Sequence, residues 1–266
     1  MVAVSELVII TVKGIFRDRI FQGILALAVL YLLVPLVAPL SMRQVAQLAM
    51  TLSFSLTSFI LLLLSVFLGA TSIWKDIERR YTYSVLSLPL SRDAYLLGRF
   101  FGIALFLFCT LLVLATSACL VTYYAGSIWP QERPLAWDAV FVALFYDFLK
   151  YVLLSAWALL LSSLSTSFFL PIFGSISIYW VGSFSQDVFD YLQTDSAQQL
   201  SPLIHVLAKF FYYLLPNFNA FDLKVNAIYA LPLNWPGLGM TLLYFILYTT
   251  IILCGAVLVL RRKELR

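Results

Sequence analysis

The chain has 266 residues, of which 62% are hydrophobic, 16% aromatic and only 11% charged, with a formal net charge of +4. That composition excludes an ordinary soluble domain and gives no reason to expect a nucleic-acid partner. A globular core accounts for one or two long apolar runs, whereas this chain carries six of spanning length, so we expect a single all-α membrane domain over residues 1–266.

Taken in chain order, residues 1–19 come first. Leu7, Val8 and Ile15 alternate there with Lys13, Arg17 and Arg19, and residues 5–19 read as an amphipathic interfacial helix. The expected spans are 20–40, 51–73, 100–124, 138–161, 168–184 and 238–260. The first lacks a small-residue cleavage site and is read as mature structure. With six spans and both termini inside, twelve Lys and Arg face the cytoplasm and four face outward (Arg43, Arg133, Lys209 and Lys224), as the positive-inside rule demands. Trp74, Trp129, Trp137, Trp180 and Trp235 fall near span ends, as an aromatic belt requires.

Between the second and third spans lies a charged, proline-punctuated loop, residues 74–99, WKDIERRYTYSVLSLPLSRDAYLLGR. On a helix, Ile77, Tyr81, Val85 and Leu88 share one apolar face, while Lys75, Glu78, Arg79 and Thr82 lie mainly opposite. Pro89 ends that helix, and Ser91 is placed to cap the next, with Asp93 in its first turn. Such a loop either transmits a push from a docked partner to both flanking spans or only orients the protein. Gly98 and Gly102 form a G-x-x-x-G suited to close helix packing.

In the fourth span, Asp147 and Lys150 sit at i and i+3, share a helix face and can neutralise one another. Intramembrane charges are costly, so the pair is either a buried structural feature or a substrate or proton site. Residues 185–237 form the long extracytoplasmic segment. Its acids (Asp187, Asp190, Asp195 and Asp222) and apolar stretches suggest short amphipathic helices on the outer membrane surface. Within it, residues 201–215 would reach only about 22 Å as a helix, too short to cross. That stretch reads as an interfacial or re-entrant helix, with Ser201 as N-cap and Pro202 in the first turn.

Chemistry-bearing motifs are absent from the sequence. There is one histidine, His205, and the three cysteines, Cys109, Cys119 and Cys254, lie within spans. No metal-ligand cluster, nucleophile elbow or phosphate-binding Gly-rich loop occurs, so neither catalysis nor a cofactor or metal in this chain is expected.

The run D-I-E-R-R-Y-T-Y-S-V-L-S-L-P-L-S-R followed by Y-L-L-G-R-F-F-G resembles the loop between spans 2 and 3 of type-2 ABC exporter permeases. Glu78, Arg79, Arg80, Leu86, Ser87, Pro89, Ser91, Arg92, Leu97, Gly98 and Phe100 fit that family's pattern, with Tyr81 where Thr is commoner and Arg99 where Lys is commoner. A second segment, L-L-P-N-F-N-A-F-D-L-K over residues 214–224, is similar to one preceding the last span in a branch of these permeases. The resemblance implies a homodimer, and the compact loops and absence of eukaryotic targeting features suit a bacterial inner membrane. Each loop would seat in a separate cytoplasmic ATPase that binds the ATP and Mg, with Glu78, Arg79, Arg80, Tyr81 and Arg92 as coupling residues. The function implied is export of an amphipathic, lipid-like, peptide or other substrate. The alternatives are an ATPase-independent carrier or channel using Asp147 and Lys150, and a permease that passes mechanical work to an extracytoplasmic protein partner, as in branches that assist maturation of copper enzymes.

Overall fold

The computed structural model describes residues 2–16, 19–38, 45–78, 91–128, 136–165, 167–194 and 201–262. Among these residues the chain is all-helical. In order it forms α1 (Val2–Phe16), α2 (Arg19–Ala26), a 3-10 stretch (Leu27–Leu33), α3 (Val34–Val37), α4 (Val45–Glu78), α5 (Arg92–Ile128), α6 (Trp137–Leu164), α7 (Phe169–Leu192), α8 (Pro202–Leu214), α9 (Lys224–Tyr229) and α10 (Trp235–Arg262). Four helices are long and apolar enough to cross a membrane: α4, α5, α6 and α10. They are compatible with a multi-pass membrane protein.

These four outrun the apolar windows that announce them. At 1.5 Å per residue, α4 and α5, with 34 and 37 residues, extend roughly 50 to 55 Å, well beyond a hydrocarbon core of about 30 Å. Of residues 20–40, expected as one span, those described, 20–38, form a helical run interrupted by the 3-10 stretch. Pro35 explains the break. It has no N–H to donate to the Tyr31 carbonyl, and that carbonyl is taken at i+3 by the Val34 N–H. The fifth expected span lies within α7, whose 24 residues continue past the apolar window to Leu192.

Helix α6 is the axis of the bundle. Of its most apolar window, 78% is buried, against 22% for α10. Ser162 on α6 donates to the Ala70 carbonyl of α4 at 2.7 Å and accepts from the Trp74 N–H at 3.2 Å, so a small hydroxyl is inserted between the two helices. Helix α10 lies at the periphery, exposing Met240, Leu243, Ile246, Leu247 and Ile251. An exposed apolar face of that extent suits lipid or another subunit rather than water. Helix α8 begins with Pro202 in its first turn and exposes Leu203, Val206, Phe210 and Tyr213. It is held to α7 by the stacked rings of Phe189 and Tyr212, whose centroids are 4.2 Å apart.

The bundle therefore has a basic end, where Glu78, Arg92 and Arg261 lie, and a far end, where Trp137 and Trp235 begin α6 and α10.

Candidate functional site

Two groups of charged residues stand out, one buried midway along α6 and one at the basic end. Asp147 and Lys150 lie on α6 about 15 Å from Trp137 and about 21 Å from Leu164 along the helix, and both are nearly inaccessible, at 2% and 3% exposure. The sequence suggests that they neutralise each other, but the structure pairs them differently. Lys150 Nζ is 3.8 Å from Asp222 Oδ2, and Lys224 Nζ is 4.0 Å from Asp147 Oδ1 and 3.9 Å from Asp222 Oδ2. The arrangement is a chain of alternating charge, Lys150, Asp222, Lys224, Asp147, that sums to zero.

Side chains from α4, α7 and α6 itself flank this chain. Ser58 on α4 donates to Asp147 Oδ2 at 2.6 Å. The rings of Tyr151 and Tyr179 stand 5.7 and 5.5 Å from Lys150 Nζ, within range for a cation to feel their faces. Among the described residues Asp147 Oδ1 is buried and accepts no hydrogen bond. The charge facing it across the interface is Lys224, 4.0 Å away. Removing both partners of such an array is tolerable, whereas removing one strands a buried charge.

Asp222 and Lys224, whose side chains remain 33% and 22% exposed, meet the buried charges because the segment carrying them folds against the bundle. That corrects the expectation that residues 185–237 simply line the outer surface. Phe218 and Phe221 are fully buried, and Ala227 nearly so. Phe218 N–H donates to the Gly182 carbonyl of α7 at 3.2 Å. A Cβ on Gly182 would stand 2.3 Å from the Pro216 carbonyl oxygen, so only glycine admits the segment here. Asn217 holds the turn that follows: its Oδ1 accepts from the N–H groups of Asn219 and Ala220, its Nδ2 donates to Gln186, and its own N–H donates to the Tyr244 hydroxyl. Ser58, Gly182, Tyr179, Asp222 and Lys224 thus belong to the site, although the sequence did not single out any of them as site residues. The available signal was an acid and a base flanking Leu223 just after two phenylalanines spaced i, i+3.

At the basic end, Ser91 caps α5 by accepting the Ala94 N–H at 3.2 Å. Arg92 turns toward α10 and donates from Nη1 to the carbonyls of Leu260 and Arg261 at 3.0 and 2.9 Å, satisfying orphan acceptors at that helix's C-terminus. Arg261 in turn donates from Nε to Asp93 Oδ1 at 2.7 Å and from Nη2 to Asp93 Oδ2. The start of α5 and the end of α10 are thereby tied twice. Of the other coupling candidates, Glu78 is the last residue of α4, while Arg79, Arg80 and Tyr81 lie outside the described residues.

Gly98 and Gly102 face α1. A Cβ on Gly98 would stand 2.7 Å from Leu7 Cβ, and one on Gly102 would stand 2.7 Å from Thr11 Cβ. Leu7, Thr11 and Ile15, one face of α1 at i, i+4, i+8, are buried, and Lys13 is exposed. The glycine pair thus brings α1 against α5, at a distance from the Asp147 cluster. No family model matches the chain, and no curated protein matches it at a significant level.

Proposed function

We propose that this chain is the membrane-spanning permease subunit of an ABC-type exporter, driven by a separate cytoplasmic ATPase. It crosses the membrane six times, with the helical run from Arg19 to Val37 and helix α7 completing the four longer spans. The 74–99 coupling stretch is the point of engagement, with Glu78, Arg79, Arg80, Tyr81 and Arg92 within it. Two copies form the transport unit, both termini are cytoplasmic, and the cargo is amphipathic.

The observation that carries this reading is the construction of the basic end. Two unbroken helices, α4 and α5, end and begin on either side of residues 79–90, and the first turn of α5 is stapled to the end of α10. A force applied to the loop has a rigid path into α4, α5 and α10 together, and α1 is carried along on Gly98 and Gly102. The carrier or channel alternative is less well supported, since Asp147 and Lys150 are both engaged by charges of a neighbouring segment.

Affinity purification in detergent from the native cell tests the reading. The native chain should retain an ATPase, and Glu78→Ala/Arg79→Ala/Arg80→Ala should lose it while still forming the same oligomer. An intact oligomer of the native chain with no ATPase attached would refute the proposal.

A further inference from the structure

The segment from Pro216 to Ala230 differs from everything around it. It packs onto α4, α6 and α7 as a 3-10 turn (Asn219–Phe221), an extended residue at Asp222 and the six-residue helix α9, with Phe218, Phe221 and Ala227 turned inward and Asp222, Val225 and Tyr229 left exposed. Irregular backbone in the depth of a helical bundle persists only where protein encloses it, and here Phe218, Phe221 and Ala227 are the enclosed side chains. Its two boundaries are conformationally marked. Pro216 lacks a backbone donor, and Ala230 has φ 52, in the left-handed region that a residue with a Cβ enters at a cost.

The directional hydrogen bonds from this segment to α7 and α10 come from its root, Asn217 and Phe218; beyond that root the polar grip, at Asp222 and Lys224, is loose. All three ion pairs of the cluster measure 3.8–4.0 Å, outside hydrogen-bond range, whereas the contact between Ser58 and Asp147, both on long helices, is 2.6 Å. Attraction without directional hydrogen bonds permits a change of partners. A second pairing is built into the sequence: Asp147 and Lys150 are i, i+3 neighbours on α6, and Asp222 and Lys224 are already 3.9 Å apart. In the observed state the charges pair across the interface. With the segment withdrawn, each acid finds a base on its own element, so neither state strands a charge.

We propose that residues 219–230, hinged on the anchored Asn217–Phe218 root, form a removable plug on the bundle, latched by exchangeable charge pairing of Asp222 and Lys224 with Lys150 and Asp147. The plug closes the interior at the Asp147 level when the charges pair across the interface, and it leaves when they pair within their own elements. The two arrangements make a bistable element of the kind that switching requires. This inference stands apart from the ATPase reading, because it concerns the opposite half of the bundle and its test involves no partner.

The scheme makes an asymmetric prediction. Asp222→Asn leaves Lys150 unpaired in the closed state but paired with Asp147 in the open state, so it releases the plug. Adding Lys150→Met removes that advantage, because opening then strands Asp147, and the plug closes again. The reporter is the purified full-length chain with Cys109, Cys119 and Cys254 changed to Ala and with Ala227→Cys introduced, reacted with a water-soluble maleimide. Asp222→Asn should raise the labelling rate at position 227 about tenfold or more, and Asp222→Asn/Lys150→Met should bring it back to within about threefold of the parent. Leu153→Cys, at a fully buried position of α6, serves in place of Ala227→Cys to report general unfolding and should stay protected throughout. An unchanged rate in Asp222→Asn, a rate that Lys150→Met fails to lower, or an equal rise at position 153 would each overturn the latch.

Discussion

At the basic end, Arg261 meets Asp93 where their side chains are 57% and 32% exposed, whereas in the interior Asp147 and Lys150 are at most 4% exposed and meet Lys224 and Asp222. The chemistry is the same, and both contacts join elements remote in sequence. Their surroundings make the energetics opposite in kind. The exposed pair has good geometry, with an Nε–Oδ1 distance of 2.7 Å, but water and salt screen it. In the interior array Asp147 and Lys150 are almost inaccessible while Asp222 and Lys224 keep 33% and 22% of their side chains exposed, so the two buried charges depend on these partners for charge balance. Good geometry therefore marks the weaker contact here, and burial decides which of the two the fold can least afford to lose half of.

The largest effect should come from breaking that balance. Lys150→Met leaves a net negative charge in the interior and should lower stability by about 3–5 kcal/mol, the range seen when one partner of a buried pair is removed. Adding Asp147→Leu removes the stranded charge and should recover more than half of the loss. Thermal unfolding of the detergent-solubilised chain measures both. A double variant no better than the single would show that the array does not act as a charge-balanced unit.

The next effects come from close approach. An alanine Cβ at position 182 would overlap the Pro216 carbonyl oxygen, a backbone atom that moves only with its segment. Gly182→Ala should therefore cost about 1–3 kcal/mol by overpacking. At position 98 the neighbours are the Leu7 side-chain atoms of α1, which have more freedom to shift, so Gly98→Ala should fall at the lower end of the same range, about 1 kcal/mol. Thermal unfolding ranks the two. Faster proteolysis within α1, specific to Gly98→Ala, would show that the glycine pair holds α1 in place.

Much of this architecture was legible in the sequence, and its limits have physical causes. Hydrophobic windows report how much chain can sit in hydrocarbon, so the four longest helices were found, but their ends were not. Helix α4 runs on to Glu78 and α5 starts back at Arg92 because backbone hydrogen bonding continues past the apolar residues. Capping signals are local, and so Ser91 and Pro202 marked helix starts correctly. The inward fold of Phe218 and Phe221 was not legible. A window over residues 185–237 averages their apolar character with nearby acids, and no periodicity links Asp222 and Lys224 to charges on a helix far earlier in the chain. Charge complementarity over such a separation becomes visible only in three dimensions.

The smallest effect tests the other side of the opening contrast. Asp93→Asn removes the carboxylate that Arg261 holds and leaves the Arg92 contacts to Leu260 and Arg261 in place. Because the pair faces solvent, the stability difference between this variant and the native chain should be the least of those argued here. It should also shrink as salt rises, vanishing near about 1 M, where the screening length is about 3 Å. The loss caused by Lys150→Met should persist at the same salt concentration, because Asp147 and Lys150 are themselves at most 4% exposed. Unfolding curves for both variants at about 0.05 M and about 1 M salt bracket that difference. Equal salt sensitivity in the two would mean that water reaches Lys150, and the interior array would then have to be regarded as a hydrated site rather than a dry latch.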